Sequence, residues 1–323
     1  MDDAKTRFLN NIESGLYSFE KISCAICNGS IFEKLADKDR HGLDMSVVIC
    51  KECGLVQTNP RMTEKSYDDF YKNIFSDLQR STMSLDYYFQ RQIIRAKEIE
   101  NYYSIVTKDK LKNKRILDVG CSAGGIVAYF SEIGNDAYGF DLDEKYIEFG
   151  KKHGANIEIG KIEDVPPDEK FDLIIYRHVF EHMLHPLQEL EKIKKHCSDD
   201  TLVYVEVPGI KNIENYRQNF EKYLTISHCY HFTLTTLKNM MQIAGFEYVS
   251  GNEIIHMLIR KGSLDKKIKN DYDQTSSFLR TLAFEPPFGV KIFKTLVKLS
   301  QKTKLDPIAR IIYRKFGTKY KKN

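Results

Sequence analysis

The feature that most constrains this chain is an apolar run that meets an acid and then breaks into glycines: Leu117-Asp118-Val119-Gly120-Cys121-Ser122-Ala123-Gly124-Gly125. The run from Arg115 suits a short buried strand, and the glycines permit a sharp turn into a helix. The same alternation continues downstream. GGIVAYFSEIG predicts a helix ending at Gly134, DAYGFDLD a strand, and EKYIEFGKKHG a helix closed by Gly154. ANIEIG and FDLIIYRHV read as strands, HPLQELEKIKKH as a helix and TLVYVEVPG as a strand. A polar, aromatic insertion runs from Ile210 to Thr233, followed by a helix, LTTLKNMMQIAGF, and two strands, EYVSGNEI and IHMLIRK. This rhythm predicts an α/β fold, a doubly wound parallel sheet with helices on both faces. Residues 64–112 read as helical, and residues 20–60 as short, turn-rich and cysteine-bearing.

Alone, a glycine-rich turn is compatible with a dinucleotide, whose pyrophosphate sits at a helix N-terminus. Here Asp118 lies inside the turn, where it would repel a pyrophosphate but accept from an ammonium group. Asp141 follows 23 residues later at the end of the second strand, where a carboxylate can take both hydroxyls of a ribose. Glu163 and Asp164 follow the third strand, where an acid can meet an adenine amino group. Three acidic positions at three successive strand ends define one crevice at the carboxyl edge of the sheet. S-adenosylmethionine (SAM), with an amino-acid end, a sulfonium and no phosphate, suits that crevice.

Two Cys-x-x-Cys pairs stand upstream: Cys24 with Cys27, and Cys50 with Cys53. Each is followed closely by glycine, Gly29 and Gly54. Two such turns present four thiolates to one ion, a closed tetrahedral set that suits structural Zn²⁺, with an iron–sulfur cluster as the minor alternative. Seven cysteines behind a polar, acidic start, with no signal peptide, point to reduced thiols in cytoplasm rather than a disulfide scaffold. No apolar run approaches the roughly 20 residues that cross a bilayer.

Charge is unevenly spread. From Arg260 onward there are 17 Lys and Arg against 5 Asp and Glu, a net of +12 in a chain whose total is +4. In the tail, Val290, Phe293, Leu296, Val297 and Leu299 share one helical face while Lys291, Lys294, Lys298 and Lys302 mostly take the other. A second short helix is expected after Asp306-Pro307, ended by Gly317. Two readings of this tail stand: peripheral contact with the inner face of a membrane, or packing on the body or a second subunit.

Residues 114–260 resemble class I SAM-dependent methyltransferases, and residues 24–75 resemble the zinc-binding module fused to such enzymes in bacterial sugar and polysaccharide pathways. The resemblance is carried by CAIC, CKECGLVQTNPR, YDDFY, FDLIIYRHVFEH and SHCYHFTLTTLKNMMQIAGF. It implies a Rossmann-like sheet of seven strands with the last antiparallel, SAM as methyl donor and a sugar or glycan acceptor. It places Gly120 and Gly124 beside the methionine part, Asp141 on the ribose and Asp164 at the adenine. Asp118, Cys121, Ser122, Leu142, Glu163 and Arg177 complete the expected cofactor contacts. Ser122 stands where the family usually has glycine. The expected division is a zinc module at 1–62, a helical connector at 63–112, the SAM-binding domain at 113–262 and a basic helical tail at 263–323.

Methyl transfer is an in-line displacement that needs the acceptor aligned and, for a hydroxyl, its proton removed. Histidine titrates near neutrality, and this chain carries His178, His182 and His185 after the fourth strand and His228 and His231 in the insertion. His228 is the expected general base, His182 the second choice, and His231 a further catalytic candidate. Glu181 could orient a histidine or form a salt bridge. Related sugar C-methyltransferases carry Tyr-x-Glu-His where this chain reads Thr225-Ile226-Ser227-His228. The missing tyrosine and glutamate favour O-methylation of a sugar hydroxyl; C-methylation and a different small acceptor are the alternatives. Nucleic-acid amino methyltransferases carry an Asn/Asp-Pro-Pro-Tyr-like run where this chain has Tyr176-Arg177-His178-Val179, which disfavours a nucleic-acid partner. The oligomeric state is not set by the sequence.

Overall fold

The computed structural model describes residues 2–79, 83–213, 219–265 and 267–283. The basic helices expected after Pro287 lie outside the described residues. In chain order, α1 (Asp2–Glu13) precedes β1 (Phe19–Glu20), β2 (Phe32–Lys38), β3 (Asp44–Cys50), β4 (Val56–Thr58) and β5 (Arg61–Met62). Then come α2 (Glu64–Phe70), a π-helical turn (Tyr71–Phe75), α3 (Ser76–Gln79) and α4 (Leu85–Thr107). The larger sheet and its helices follow as β6 (Arg115–Val119), α5 (Gly125–Glu132), β7 (Asp136–Asp141), α6 (Glu144–Lys152), β8 (Ile157–Ile159), β9 (Phe171–Arg177), α7 (Pro186–Lys194) and β10 (Cys197–Glu206). The last elements are α8 (Phe220–Tyr223), β11 (Tyr230–His231), α9 (Leu234–Ile243), β12 (Phe246–Gly251), β13 (His256–Lys261) and α10 (Tyr272–Ala283).

The main sheet has seven strands in the order β12-β13-β10-β9-β6-β7-β8. The five strands β10, β9, β6, β7 and β8 are parallel, and β13 runs antiparallel to both of its neighbours. This is the seven-stranded sheet that the sequence pattern and resemblance imply. Strands β6 and β9 are mostly apolar in the middle because those residues are buried on both faces. Ala96 and Ile99 of α4 and Ile126 and Phe130 of α5 join Leu173, Ile175 and Tyr204 in one buried core.

The N-terminal cysteines belong to a second, antiparallel sheet that the turn-rich reading of residues 20–60 did not foresee. Its order is β11-β4-β3-β2. Strands β2 to β4 come from the first sixty residues, whereas β11 comes from the insertion after β10: Tyr230 pairs with Gln57 and His231 with Val56. From the other end of the chain, the Asp271 N–H donates to the Cys53 carbonyl and the Asn270 amide to the Lys51 carbonyl. Gly54 fits here because a Cβ would sit 2.5 Å from the Asp271 carbonyl carbon. The chain up to Leu279 forms one compact unit.

One contact ties α4 to the glycine-rich turn. The Gln92 side chain donates to the Cys121 carbonyl at 2.9 Å and accepts from the Gly125 N–H at 3.0 Å. Both backbone groups are buried, so the amide of Gln92 replaces water at a helix start. Gly125 must lack a side chain there, since a Cβ would lie 2.5 Å from the Phe89 carbonyl oxygen. Gln92→Leu leaves the buried Gly125 N–H unsatisfied, while the Cys121 carbonyl keeps its bond from the Gly124 N–H, and is expected to cost about 1–3 kcal/mol. Urea unfolding of the full chain measures this, and a change under about 0.5 kcal/mol would show that the turn needs no clamp.

Candidate functional site

The two cysteine pairs sit in matching turns. Cys24 donates its N–H to the Gly29 carbonyl and accepts from the Asn28 N–H; Cys50 does the same with Leu55 and Gly54. The fifth residue of each turn, Asn28 (φ 57°) and Gly54 (φ 81°), is left-handed. Gly29 is therefore not the flexible position; a Cβ there would collide with the Glu52 carboxylate. The sulfurs of Cys24 and Cys53 lie 3.3 Å apart and those of Cys27 and Cys50 3.5 Å apart, with all four within 4.8 Å of one another. A tetrahedron of thiolates about 2.3 Å from one ion has edges of about 3.8 Å, so the set fits a closed S4 metal site. Crowded thiols oppose one another: bonding from Cys24 and Cys53 pulls Cys50 down, while bonding with Cys24 and Cys50 holds Cys53 up.

The cradle at the end of β6 is built from left-handed residues. Gly120 (φ 71°), Ser122 (φ 51°) and Gly124 (φ 74°) all adopt positive φ. This is the reason glycine suits position 122; serine accepts the conformation at a cost of about 1–2 kcal/mol. The Ser122 N–H donates to Asp141 Oδ2 at 2.8 Å, and the Asp143 N–H to Asp141 Oδ1 at 2.9 Å. Asp141 is thus fixed by two backbone donors. Asp118 is 2% exposed, and its Oδ2 has no hydrogen-bond partner. Burial pushes its carboxyl up to about 8; the Arg177 charge pulls it down and Asp141 pushes it up, each less than burial does.

The other expected cofactor residues are placed unevenly. Cys121 packs its side chain into the core beneath the turn, so only its backbone can face the crevice. Leu142 is exposed. Asp164 accepts from the Lys161 N–H at 2.7 Å and closes its own turn, and Glu163 pairs with Lys192 of α7. Arg177, at the end of β9, pairs with Glu206 at 3.3 Å.

Next to the cradle the strand ends carry a histidine–carboxylate cluster. A Cβ on Gly120 would lie 2.7 Å from Val179, so the loop after β6 touches the loop after β9. His178 (φ 55°) lies between Glu181, 3.1 Å from its Nδ1, and Glu206, 3.4 Å from its Nε2. Burial would lower His178, but the two carboxylates raise it. For Glu206 burial opposes ionisation, yet His178 and Arg177 hold it well below the usual carboxylate range. The insertion is laced to this loop: Cys229 N–H donates to the Glu181 carbonyl at 2.7 Å, and His182 Nδ1 lies 2.9 Å from the Ser227 carbonyl. His228 stands 4.7 Å from His182, ring centre to ring centre, and His231 5.8 Å from His228. Burial, followed by the neighbouring cations, keeps His228 well below its ordinary value, and burial brings His231 down to about 3. His185 is apart from this group, exposed before α7.

Sequence reasoning missed several members. The Tyr67 hydroxyl lies within hydrogen-bond distance of the carbonyls of both His182 and Ser227, which share its one proton. Tyr71 and Phe75 of the π-helical turn set their rings edge-on to His182 at 5.8 and 5.6 Å, and Ser76 donates to Asp143 at 2.7 Å. Residues 67–76 therefore span from the histidine cluster to the loop after β7, and a π-helical turn is frequent at functional sites. The mixed aromatic pattern of YDDFYKNIF was the available signal. Glu206, which closes β10, reads in sequence only as the last residue of a strand.

A model of the family described as a methyltransferase domain matches residues 89–251, half of the chain. A ubiquinone biosynthesis O-methyltransferase of Rhodopseudomonas palustris is 29% identical over 79 residues, 23% of this chain and 31% of that protein. One of Coxiella burnetii is 27% identical over 121 residues, 35% of this chain and 48% of the relative. The chain thus spans less than half the length of these curated relatives. Among solved structures, the plantazolicin methyltransferase BpumL in complex with SAH is 18% identical with a TM-score of 0.46, covering 61% of this chain and 94% of that one. A S-adenosylmethionine-dependent methyltransferase from Clostridium acetobutylicum is 12% identical with a TM-score of 0.40, covering 61% and 99%. With the family model spanning the glycine-rich cradle, Asp141 and the histidine cluster, the chain belongs to the methyltransferase-domain family.

Proposed function

We propose that this protein transfers the methyl group of SAM to a hydroxyl oxygen of a small polyhydroxy acceptor, a sugar or glycan unit, and that Zn²⁺ fills the four-cysteine site in a structural role. The observation that carries the reading is the pairing of two sites on one sheet edge: a cradle with an orphaned buried carboxyl, and beside it a polar cluster of histidines and carboxylates. Bound SAM supplies a methyl group on a positively charged sulfur. Asp118 offers its unpartnered oxygen to a cationic ligand, the turn from Gly120 to Gly124 brings backbone close to it, and Asp141 holds a diol. On the acceptor side, His228 takes the hydroxyl proton, with His182 its neighbour. Glu181 and Glu206 hold His178, and these polar groups match an acceptor rich in hydroxyls. The O-methyltransferases of ubiquinone biosynthesis found among the relatives support oxygen as the atom methylated. Among the described residues no helix is long and apolar enough to cross a membrane.

Three outcomes are expected. A cation beside Asp118 stabilises its ionised form, so its value falls from about 8 when SAM binds. SAM affinity measured by calorimetry should therefore weaken as pH drops below about 8, approaching tenfold per pH unit, and Asp118→Asn should flatten that dependence. A flat profile in the wild type would remove Asp118 from the site.

For the thiolate site, a Cys24→Ser/Cys50→Ser variant should lose one equivalent of zinc in elemental analysis while still binding SAM, because the metal holds the small sheet rather than the cradle. Iron in the wild type, or undiminished zinc in the variant, would overturn the assignment.

For the chemistry, His228→Ala should lower turnover about 100- to 10,000-fold, the span for losing a positioned proton acceptor. SAM affinity should stay near the wild-type value. Undiminished turnover, or a product methylated on carbon, would refute hydroxyl activation by this cluster.

A further inference from the structure

Glu181, His182 and His228 each present one ligand atom, and these three atoms lie within 4.8 Å of one another. Two features take this beyond proximity. The first is an excess of buried polar atoms without partners. Glu181 is 2% exposed; its Oε1 faces His178, and its Oε2 has no hydrogen-bond partner. Nδ1 of His228 and both ring nitrogens of the adjoining His231 are likewise buried without one. Leaving a buried polar atom unpaired is costly, and two of these atoms, Glu181 Oε2 and His228 Nδ1, belong to the three residues themselves, which describes a site that awaits a ligand. The second is the orientation of His182. A carbonyl can only accept, so the contact of Nδ1 with the Ser227 carbonyl at 2.9 Å puts the proton on Nδ1 and the lone pair on Nε2. An imidazole fixed through its other nitrogen to a backbone carbonyl is the arrangement that orients metal-ligating histidines. Its Nε2 stands 3.8 Å from Glu181 Oε1. That is too far for a hydrogen bond, and suits two ligands about 2.0–2.2 Å from a shared ion.

We propose that Glu181, His182 and His228 bind a divalent transition-metal cation, distinct from the ion of the four cysteines, and that the acceptor hydroxyl is activated on it. This rests on the reading of hydroxyl-directed methyl transfer given above. Two imidazoles and one carboxylate favour Zn²⁺, Mn²⁺, Fe²⁺ or Co²⁺ over Mg²⁺ and Ca²⁺, and three protein ligands leave positions open for an acceptor oxygen. Coordination lowers the hydroxyl's affinity for its proton, which leaves to water. The oxygen then forms its bond to the donor methyl carbon as the carbon–sulfur bond breaks, and that electron pair stays on sulfur as a neutral thioether. In this refinement of the reading above, His228 activates the hydroxyl through the cation, which takes over its direct role as proton acceptor. His178 is not a ligand in this scheme; it holds Glu181 in place.

The test uses the full chain brought to one zinc per chain by mild chelation, which strips an open three-ligand nitrogen–oxygen site before a closed four-thiolate one. Titration with Co²⁺ should show uptake of one further equivalent, with visible d–d absorption and no thiolate-to-cobalt charge transfer. Glu181→Gln and His182→Asn should each weaken that uptake by about 100-fold or more. His185→Ala, an exposed histidine outside the cluster, should leave it unchanged. SAM affinity on the same samples reports whether each variant has folded; if one has not, the other decides. No uptake by SAM-binding wild type, or uptake undiminished in a SAM-binding variant, overturns the proposal. If the wild type takes up Co²⁺ yet binds no SAM, the cation site stands and the methyl-transfer reading falls.

Discussion

Everything at the site depends on the parallel register of four neighbouring strands. Asp118 lies opposite Gly139 on one side and Ile175 on the other, and Val119 opposite Phe140 and Tyr176. Arg177 lies opposite Glu206. Strands β10, β9, β6 and β7 therefore end at nearly the same level, and the loops that leave them meet. A slip of one residue would send every side chain of a strand to the opposite face. In β6 such a slip would turn Asp118 from its buried place to the other face of the sheet. The close contact of Gly139 with Cys121 and Val127 adds to this, since a Cβ would lie within 3.0 Å of both.

On that shared edge, two buried carboxyls are driven in opposite directions. Asp118 has desolvation as its dominant influence and stays protonated near neutrality. Glu206 is also buried, but a hydrogen bond from His178 and the charge of Arg177 hold it ionised. The contrast separates two tasks. An orphaned acid receives a cation cheaply, because ionising it then relieves rather than adds to the cost of burial. An acid already paired with cations has its charge spent on positioning. Arg177 serves both sites, since it tempers Asp118 while it pairs with Glu206.

Much of this was legible in the sequence. The alternation of apolar strands and glycine-ended helices marked the seven strands of the main sheet, because two-sided burial leaves long apolar runs. The acids at strand ends and the two Cys-x-x-Cys pairs were equally plain, since their chemistry depends on local spacing. What escaped depends on contacts distant in the chain. Tyr230 and His231 form a two-residue strand whose partners lie more than 170 residues upstream, and two residues carry no periodicity. Gln92 reads as an ordinary helical glutamine until Cys121 and Gly125 are seen on either side of its amide. Cys121 and Leu142 were expected beside the cofactor from their place in the chain, and the sequence did not show that the side chain of one joins the core while the other is exposed.

The strand β11 has a consequence for how this chain can be divided. Its carbonyls and N–H groups pair with β4, the Thr58 hydroxyl holds the His228 carbonyl, and Arg61 reaches the Leu184 carbonyl and the Tyr230 hydroxyl. A fragment beginning after Met62 would keep the cradle but strip these partners from the segment that carries His228 and His231. Its buried backbone would then face no complement, and burial without a complement is what folded chains avoid. The small sheet is half of a clasp around the histidine cluster, so the boundary visible in the order of residues is not a line along which the molecule can be cut.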